Sequence, residues 1–427
     1  MQDLTQLYGR QWIVNNKNSN ILNHTLKIPA IENHMCNRCG SKVNFMLPNE
    51  KLYCRECINI GRVCEGDYLV RMADNINYEK IYNGGLTWQG ELTKRQKLIS
   101  DQLISNYQKK QDTLVHAVTG AGKTEMLFKV IAKCIASGQR ACIATPRIDV
   151  VNELYPRFKQ AFGKIKIGKY HGREFKEPEN EQLTICTTHQ LLKFYQAFDL
   201  LVIDEVDSFP YANNTQLHFG ADKAVKKNGT KVFLTATPTE NLLEEIKKGK
   251  LAILKLNRRF HGHLLPVPKE KLFIKPFIHN QKIHTKLLKE IVKVMEARHQ
   301  LLLFVPRIEQ IPRYLLALKK DSRFKAFKIA GVHAEDPDRI KKVEAFRKKD
   351  IDILVTTTIL ERGVTFKGVW VIIVAADDEI YTKSSLVQIA GRVGRDKNDP
   401  NGLILFCYRK YTKNIDLAIK EIKEMNQ

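Results

Sequence analysis

Long apolar runs are missing from this 427-residue chain. The longest, LLLFV at 301–305 and VWVIIVAA at 369–376, are far too short to span a bilayer. The opening MQDLTQLYGRQW carries an early acid and no apolar core, so it does not read as a secretory leader. The expected compartment is the cytoplasm, with peripheral attachment at the inner face of the membrane as a further option. No fixed-period repeat or low-complexity tract is visible, which sets aside solenoid and fibrous architectures. Acids are also scarce: 46 Asp and Glu against 70 Lys and Arg leave a formal charge of +24. That imbalance suits a polyanionic partner, most simply nucleic acid, although a generally basic protein would carry it too. The lysines are scattered rather than gathered in a tail, which favours a folded basic face. With 43% hydrophobic residues the chain can build real cores, and its length predicts two or three domains.

Nine cysteines fall unevenly. Cys134, Cys142, Cys186 and Cys407 stand alone in apolar surroundings and read as small core residues. A reducing compartment suits all nine better than a disulfide framework. Cys36-x-x-Cys39 and Cys54-x-x-Cys57 form two knuckles with fourteen residues between them, close to the spacing of a tetrahedral four-cysteine zinc ribbon. A redox pair is the alternative. Gly40 allows a tight turn, and Arg38, Lys51 and Arg55 favour thiolates. Cys64 is the odd one out and reads as packing. The segment MLPNEKLYCREC can present aromatic and basic groups to a nucleic-acid strand, or act as a folding staple with no partner.

Residues 1 to about 35 are Asn-rich and polar without periodicity, and read as a disordered or docking arm. From about Leu92 onward, β-like runs alternate with helical stretches, which predicts an α/β fold of parallel sheets covered on both faces. The strand candidates fall into two sets of five: TLVHAV, RACIAT, LTICTT, LLVIDE and KVFLTA, then QLLLFV, FKIAGV, DILVTT, VWVIIVA and LILFCY. Between them NRRFHGHLLPVPKEKLFIKP, with three prolines, reads as a linker or as a surface loop with one further strand. The expected domains are an arm and cysteine module at 1–90 and two α/β lobes at 91–265 and 266–427.

The stretch from Ala117 to Thr124, AVTGAGKT, has the makings of a phosphate-binding loop. Thr119, Gly120, Ala121 and Gly122 let backbone N–H groups close around phosphate oxygens. Lys123 can reach the outer phosphates, and the Thr124 hydroxyl can hold Mg2+. A strand precedes the loop and a helix follows it, so the loop opens a helix N-terminus. These features predict a nucleoside triphosphate site.

Asp204 and Glu205 end the apolar strand FDLLVI, where an open parallel sheet places its ligands. Asp204 can hold Mg2+ through the metal's water shell, and Glu205 can orient and deprotonate an attacking water. In QIAGRVGR, Arg392 and Arg395 are three apart and are expected on one helical face, where two guanidiniums can stabilise a γ-phosphate in transit. A basic face binding phosphate backbone is the alternative role.

Together these motifs resemble the superfamily 2 helicases and translocases over residues 90 to 427. The resemblance implies two RecA-like lobes, an ATP site using Mg2+, and adenine recognition by Gln96 of LTKRQ. It implies that Pro146 and Arg147 of TPR, Thr187 and Thr188 of TTHQ, Arg307 of FVPR, and Thr357 and Thr358 of TTTILERGVTF hold a nucleic-acid backbone. TAT at 235–237 looks like the motif that couples nucleotide state to lobe movement. Thr365 stands where DEAD-box RNA helicases usually carry Asp, and the acidic motif is DEVD, so the pattern favours DNA-type members. A four-cysteine module followed by two such lobes is similar to the ComFA family of competence ATPases. That similarity implies Zn2+ on Cys36, Cys39, Cys54 and Cys57, and single-stranded DNA as substrate. It also implies competence-machinery partners: a ComFC-like protein and the inner-membrane DNA channel. A replication-restart or repair helicase is the alternative, for which no strand-separating pin is visible. A DNA-binding scaffold with weak ATPase is the other, against which every hydrolytic position is filled.

Overall fold

The computed structural model describes residues 7–15, 25–73, 76–172, 179–396 and 399–426. The chain divides into two compact units, one of Met1–His116 with Gly122–Leu256 and the other of Ala117–Ala121 with Asn257–Gln427.

The first unit begins with β1 (Arg10–Val14), β2 (Leu26–Pro29) and β3 (Tyr68–Met72), paired antiparallel in the order β1-β3-β2. Residues 10–14 and 26–29 are therefore strands, not a loose arm. The missing periodicity has a simple cause: β1 packs on the α/β body through polar residues. The Arg10 guanidinium lies 3.9 Å from the Phe194 ring centroid, and the Gln11 amide donates to the Leu192 carbonyl at 2.8 Å. The cysteine knuckles occupy the span between β2 and β3.

The α/β body of this unit runs α1 (Lys94–Gln108), β4 (Thr113–Ala117), α2 (Lys123–Ala136), β5 (Ala141–Thr145), α3 (Ile148–Ala161), β6 (Ile167–Tyr170) and β7 (Leu183–Thr187). It continues with β8 (Phe198–Ile203), α4 (Thr215–Ala224), β9 (Val225–Thr235), α5 (Glu240–Lys247) and β10 (Ala252–Leu256). The sheet order is β6-β7-β5-β8-β9-β4-β10, with the ladders from β6 to β4 all parallel. Every residue of β5, β7 and β8 is buried, as a sheet covered on both faces requires. Parallel strands end on one edge, so the loops after β4, β5, β7, β8 and β9 share that edge.

The second unit runs β11 (Lys269–Leu272), α6 (Thr285–Glu296), β12 (Gln300–Phe304), α7 (Ile311–Lys320), β13 (Ile329–Val332) and α8 (Arg339–Arg347). Then follow β14 (Ile353–Thr356), β15 (Val369–Ile373), α9 (Lys383–Ala390), β16 (Ile404–Tyr408) and α10 (Lys413–Met425). Its sheet, ordered β11-β16-β15-β12-β14-β13, is parallel throughout. The two RecA-like parallel sheets and the N-terminal cysteine cluster are the α/β architecture expected from the sequence. In the two parallel sheets three strands lie outside the ten expected, β6, β10 and β11, the last being the further strand that the alternative reading of the linker allowed. All three lie at sheet edges, where solvent permits Lys and Glu and the apolar run is lost.

Candidate nucleotide site and cysteine centre

The nucleotide site is assembled by the sheet edge. β4 runs into the glycine loop, and Lys123 opens α2, whose N-terminal N–H groups face back toward the loop. Gly122 has φ +73°, and a Cβ there would stand 2.4 Å from the Gln96 amide nitrogen. Glycine is thus required on two counts, and the predicted adenine reader lies against the phosphate loop. Gln96 is placed by a capping box: the Thr93 N–H donates to its Oε1 at 2.9 Å, while the Gln96 N–H donates to Thr93 Oγ1 at 3.3 Å. LTKRQ is therefore a helix start that sets Gln96 against the glycine loop. Thr119 and Ala121 are buried within the loop.

Asp204 and Glu205 leave the end of β8, two strands from β4. The Asp204 N–H donates to the Ala144 carbonyl at 2.8 Å, and Asp204 Oδ1 accepts the Glu205 N–H at 2.9 Å. Glu205 takes a left-handed φ of +52°, a strained state for a non-glycine residue that often marks a functional position. Asp207, the last residue of DEVD, accepts from Thr235 Oγ1 at 2.6 Å and Thr237 Oγ1 at 2.5 Å. The acidic motif and TAT are thereby joined by one carboxylate, a role for Asp207 that sequence reasoning missed.

In the second unit, Arg392 and Arg395 do not share a helical face. α9 ends at Ala390 with Gly391 as its cap, and the arginines sit in the turn beyond, where Gly394 adopts φ +67°. The two glycines that make the motif recognisable also end the helix. Arg392 is buried and donates from Nε to the Glu361 carbonyl at 3.0 Å. Arg395 is partly exposed and donates to the Gly391 carbonyl at 3.1 Å and to Thr365 Oγ1 at 3.2 Å. Thr365, where DEAD-box proteins usually carry Asp, is thus the neighbour of this arginine. Arg259, read from sequence as part of a basic linker, clamps the same turn by donating to the Val393 carbonyl at 2.6 Å and the Gly391 carbonyl at 3.3 Å. Burial, and then the charge of Arg395, disfavours the Arg259 cation.

The residues expected to hold a nucleic-acid backbone are less uniform. Thr187, Thr188, Thr357 and Pro146 are buried, and Thr188 is wholly so, while its neighbour His189 is exposed. At the TTHQ turn, a short 3-10 segment from Thr188 to Lys193, His189 is what solvent meets, not the Thr188 hydroxyl. Arg147 caps α3 and is partly exposed, and Thr358 opens a 3-10 turn. Arg307 is exposed and pairs with Asp378 and Glu379 at 3.3 Å each.

Cys36, Cys39, Cys54 and Cys57 are all buried, with their sulfurs within 4.8 Å of one another. The Cys36–Cys57 and Cys39–Cys54 sulfurs are 3.9 and 3.5 Å apart. A tetrahedron with zinc–sulfur bonds of about 2.3 Å has edges of about 3.8 Å, so the four thiols fit a structural zinc ion. Cys64 stands outside this group, bridging Tyr53 through its backbone. The four isolated cysteines are buried.

Comparison with known proteins places these features in a family. Residues 89–240 match the Type III restriction enzyme res subunit family, and residues 283–397 match the helicase conserved C-terminal domain. In fold, the chain is similar to Saccharomyces cerevisiae Dbp5 bound to RNA and ADP BeF3, with a TM-score of 0.58 and 16% identity over 78% of this chain and 88% of that one. It is similar in the same way to the Mycobacterium smegmatis helicase Lhr bound to ssDNA and AMP-PNP, with a TM-score of 0.58 and 15% identity over 79% and 50%. In sequence, it is 42% identical to competence protein ComFA of Streptococcus pneumoniae over 94% of this chain and 93% of that protein. It is 39% identical to ComFA of Bacillus subtilis over 92% and 86%. The chain belongs to the ComFA family of competence proteins, superfamily 2 helicases that use ATP.

Proposed function

We propose that this protein is an ATP-driven translocase on single-stranded DNA that draws transforming DNA into the cytoplasm during natural competence, in concert with other competence proteins. The observation that carries this reading is the gathering of Gln96, Lys123, Asp204, Glu205 and the TAT turn at the carboxyl edge of one sheet, in a chain of the ComFA family. Lys123 and the loop amides bind the phosphates, and Thr124 and Asp204 hold Mg2+. Glu205 positions the attacking water and takes its proton. Arg392 and Arg395 stabilise charge that develops on the γ-phosphate, and Arg259 holds their turn in place. The strand is gripped through phosphates, by Arg147, by Arg307 once it exchanges its carboxylate partners, and by main-chain amides of the TTHQ and TTTILERG turns. Sequence preference is therefore small. Zinc on the four cysteines supplies folding energy to the N-terminal module.

The test is steady-state ATPase measured in parallel with single-stranded DNA, duplex DNA and structured RNA. Stimulation by single-stranded DNA well above the other two is the expected result, and equal stimulation by RNA refutes the reading.

A further inference from the structure

A buried cation of the cysteine module reaches inward, to the helicase body. Arg38 lies between Cys36 and Cys39 and is only 3% exposed. Its Nη2 donates to the Ile60 carbonyl at 2.7 Å and its Nη1 to the Gly61 carbonyl at 2.9 Å, both at the end of the second knuckle's turn. Its Nε donates to the Leu192 carbonyl at 3.3 Å, which also accepts from Gln11 of β1 at 2.8 Å. Leu192 belongs to the Thr188–Lys193 turn that carries TTHQ. One guanidinium thus ties both knuckles to that turn.

Apolar packing follows the same line. The four cysteines share a buried cluster with Leu191, Leu192, Leu217 and Ala221. A Cβ on Gly40, next to Cys39, would stand 2.8 Å from the Phe219 ring of α4. A Cβ on Gly220 of the same helix would stand 2.8 Å from the Leu192 side chain. Knuckle, α4 and turn therefore pack without gaps. By contrast, Lys42, Lys51 and Arg55 of the module are exposed.

We infer that the cysteine centre braces the Thr188–Lys193 turn, with Arg38 as its positioning residue, and does not itself grip the strand. A 3-10 turn of six residues is weakly self-supporting, and its terminal carbonyls need partners from outside. Metal on Cys36 and Cys39 fixes the backbone on both sides of Arg38, so metal occupancy sets how firmly the turn is presented. The inference rests on the reading above that this turn contacts DNA.

The test uses full-length, zinc-loaded protein and a fluorescent oligo-dT. Arg38→Met retains the four thiols. It is expected to keep one zinc per chain and wild-type ATPase without DNA. Oligonucleotide affinity should fall about ten-fold, the scale of one lost charge-assisted hydrogen bond. Amide exchange at 188–194 should quicken, and Arg38→Lys should recover part of the affinity. Neutralising Lys42, Lys51 and Arg55 together should leave affinity and its salt dependence unchanged. Wild-type affinity in Arg38→Met overturns the inference, as does a salt slope that falls by about 0.7 per neutralised residue in the triple variant. Should Arg38→Met fail to accumulate, Arg38→Lys is the reporter: weaker binding with zinc retained supports the brace, and wild-type binding overturns it. A wild-type protein that does not bind the oligonucleotide overturns the translocase reading as well, which separates the two failures.

Discussion

Asp207 offers a sharp test of whether the acidic motif and the TAT turn act together. Its two oxygens accept the hydroxyls of Thr235 and Thr237 at 2.6 and 2.5 Å, and Thr235 Oγ1 in turn accepts the Thr237 N–H at 2.9 Å. The strand end that carries Glu205 and the TAT turn therefore meet on one carboxylate. Asp207→Asn keeps the shape but removes the charge and turns one acceptor into a donor. A hydrogen bond to a charged group contributes about 1.5–3 kcal/mol and a neutral one about 1, so the pair weakens by roughly 2 kcal/mol in total. If that link carries the signal from DNA to the nucleotide, DNA-stimulated turnover falls by roughly 30-fold, since about 1.4 kcal/mol is worth a factor of ten. ATP and DNA binding should stay near normal. The assay is a double-mutant cycle on stimulated kcat: Thr235→Val and Thr237→Val each lower it in the wild type but have little further effect after Asp207→Ala. Additive losses, or wild-type stimulation in Asp207→Asn, would refute the coupling.

Lys123→Ala should lose nucleotide binding, whereas Glu205→Gln should bind ATP in the presence of Mg2+ and turn it over very slowly; equilibrium binding beside steady-state turnover separates the two. Arg395→Ala should bind ATP and single-stranded DNA near normally yet lose on the order of 10³ in turnover; collapse of DNA binding with turnover retained would assign it to the DNA track instead. Cys54→Ser should lose zinc and destabilise the N-terminal module, while Cys64→Ser should keep the metal, a contrast read by metal analysis and thermal unfolding. Affinity for single-stranded DNA should fall steeply with salt, with a log–log slope of roughly −0.7 per phosphate neutralised.

Much of the candidate site's layout was legible because its motifs stand in fixed places on a regular sheet. A glycine loop between strand and helix, and carboxylates after an apolar strand, leave few alternatives for what they do. The Cys-x-x-Cys pairs were legible for a similar reason, since four thiols at that spacing have few other uses. The residues missed are those whose role depends on a distant neighbour. Arg259 looks like any cation of a basic linker, and nothing local says that its partners are the carbonyls of a turn more than a hundred residues away. Edge strands such as KEKL hide because their largely exposed residues need no apolar alternation. The two arginines of QIAGRVGR were expected on a helix because their spacing fits one, yet Gly391 ends the helix before either is reached.

The positive charge needs the same correction in how it is used. A formal +24 reads as a face for a polyanion, but among the described residues Arg10, Arg38, Arg71, Arg140, Arg259, Arg362 and Arg392 are buried. Their partners are internal: Phe194 for Arg10, the Glu181 carbonyl at 2.9 Å for Arg140, Gln11 at 2.9 Å for Arg71, and Ser384 at 3.1 Å for Arg362. Planar guanidiniums with several donors suit this work, since each can tie two or three carbonyls together where a lysine offers only a compact point charge. The buried arginines thus act as clamps, and the exposed lysines supply most of the outward field. The salt dependence of DNA binding should accordingly count only the few exposed cations that reach the strand, far fewer than the net charge. Removing a buried clamp should instead cost stability, turnover or, for Arg38, affinity, with the salt slope unchanged, which separates the two kinds of basic residue in one experiment.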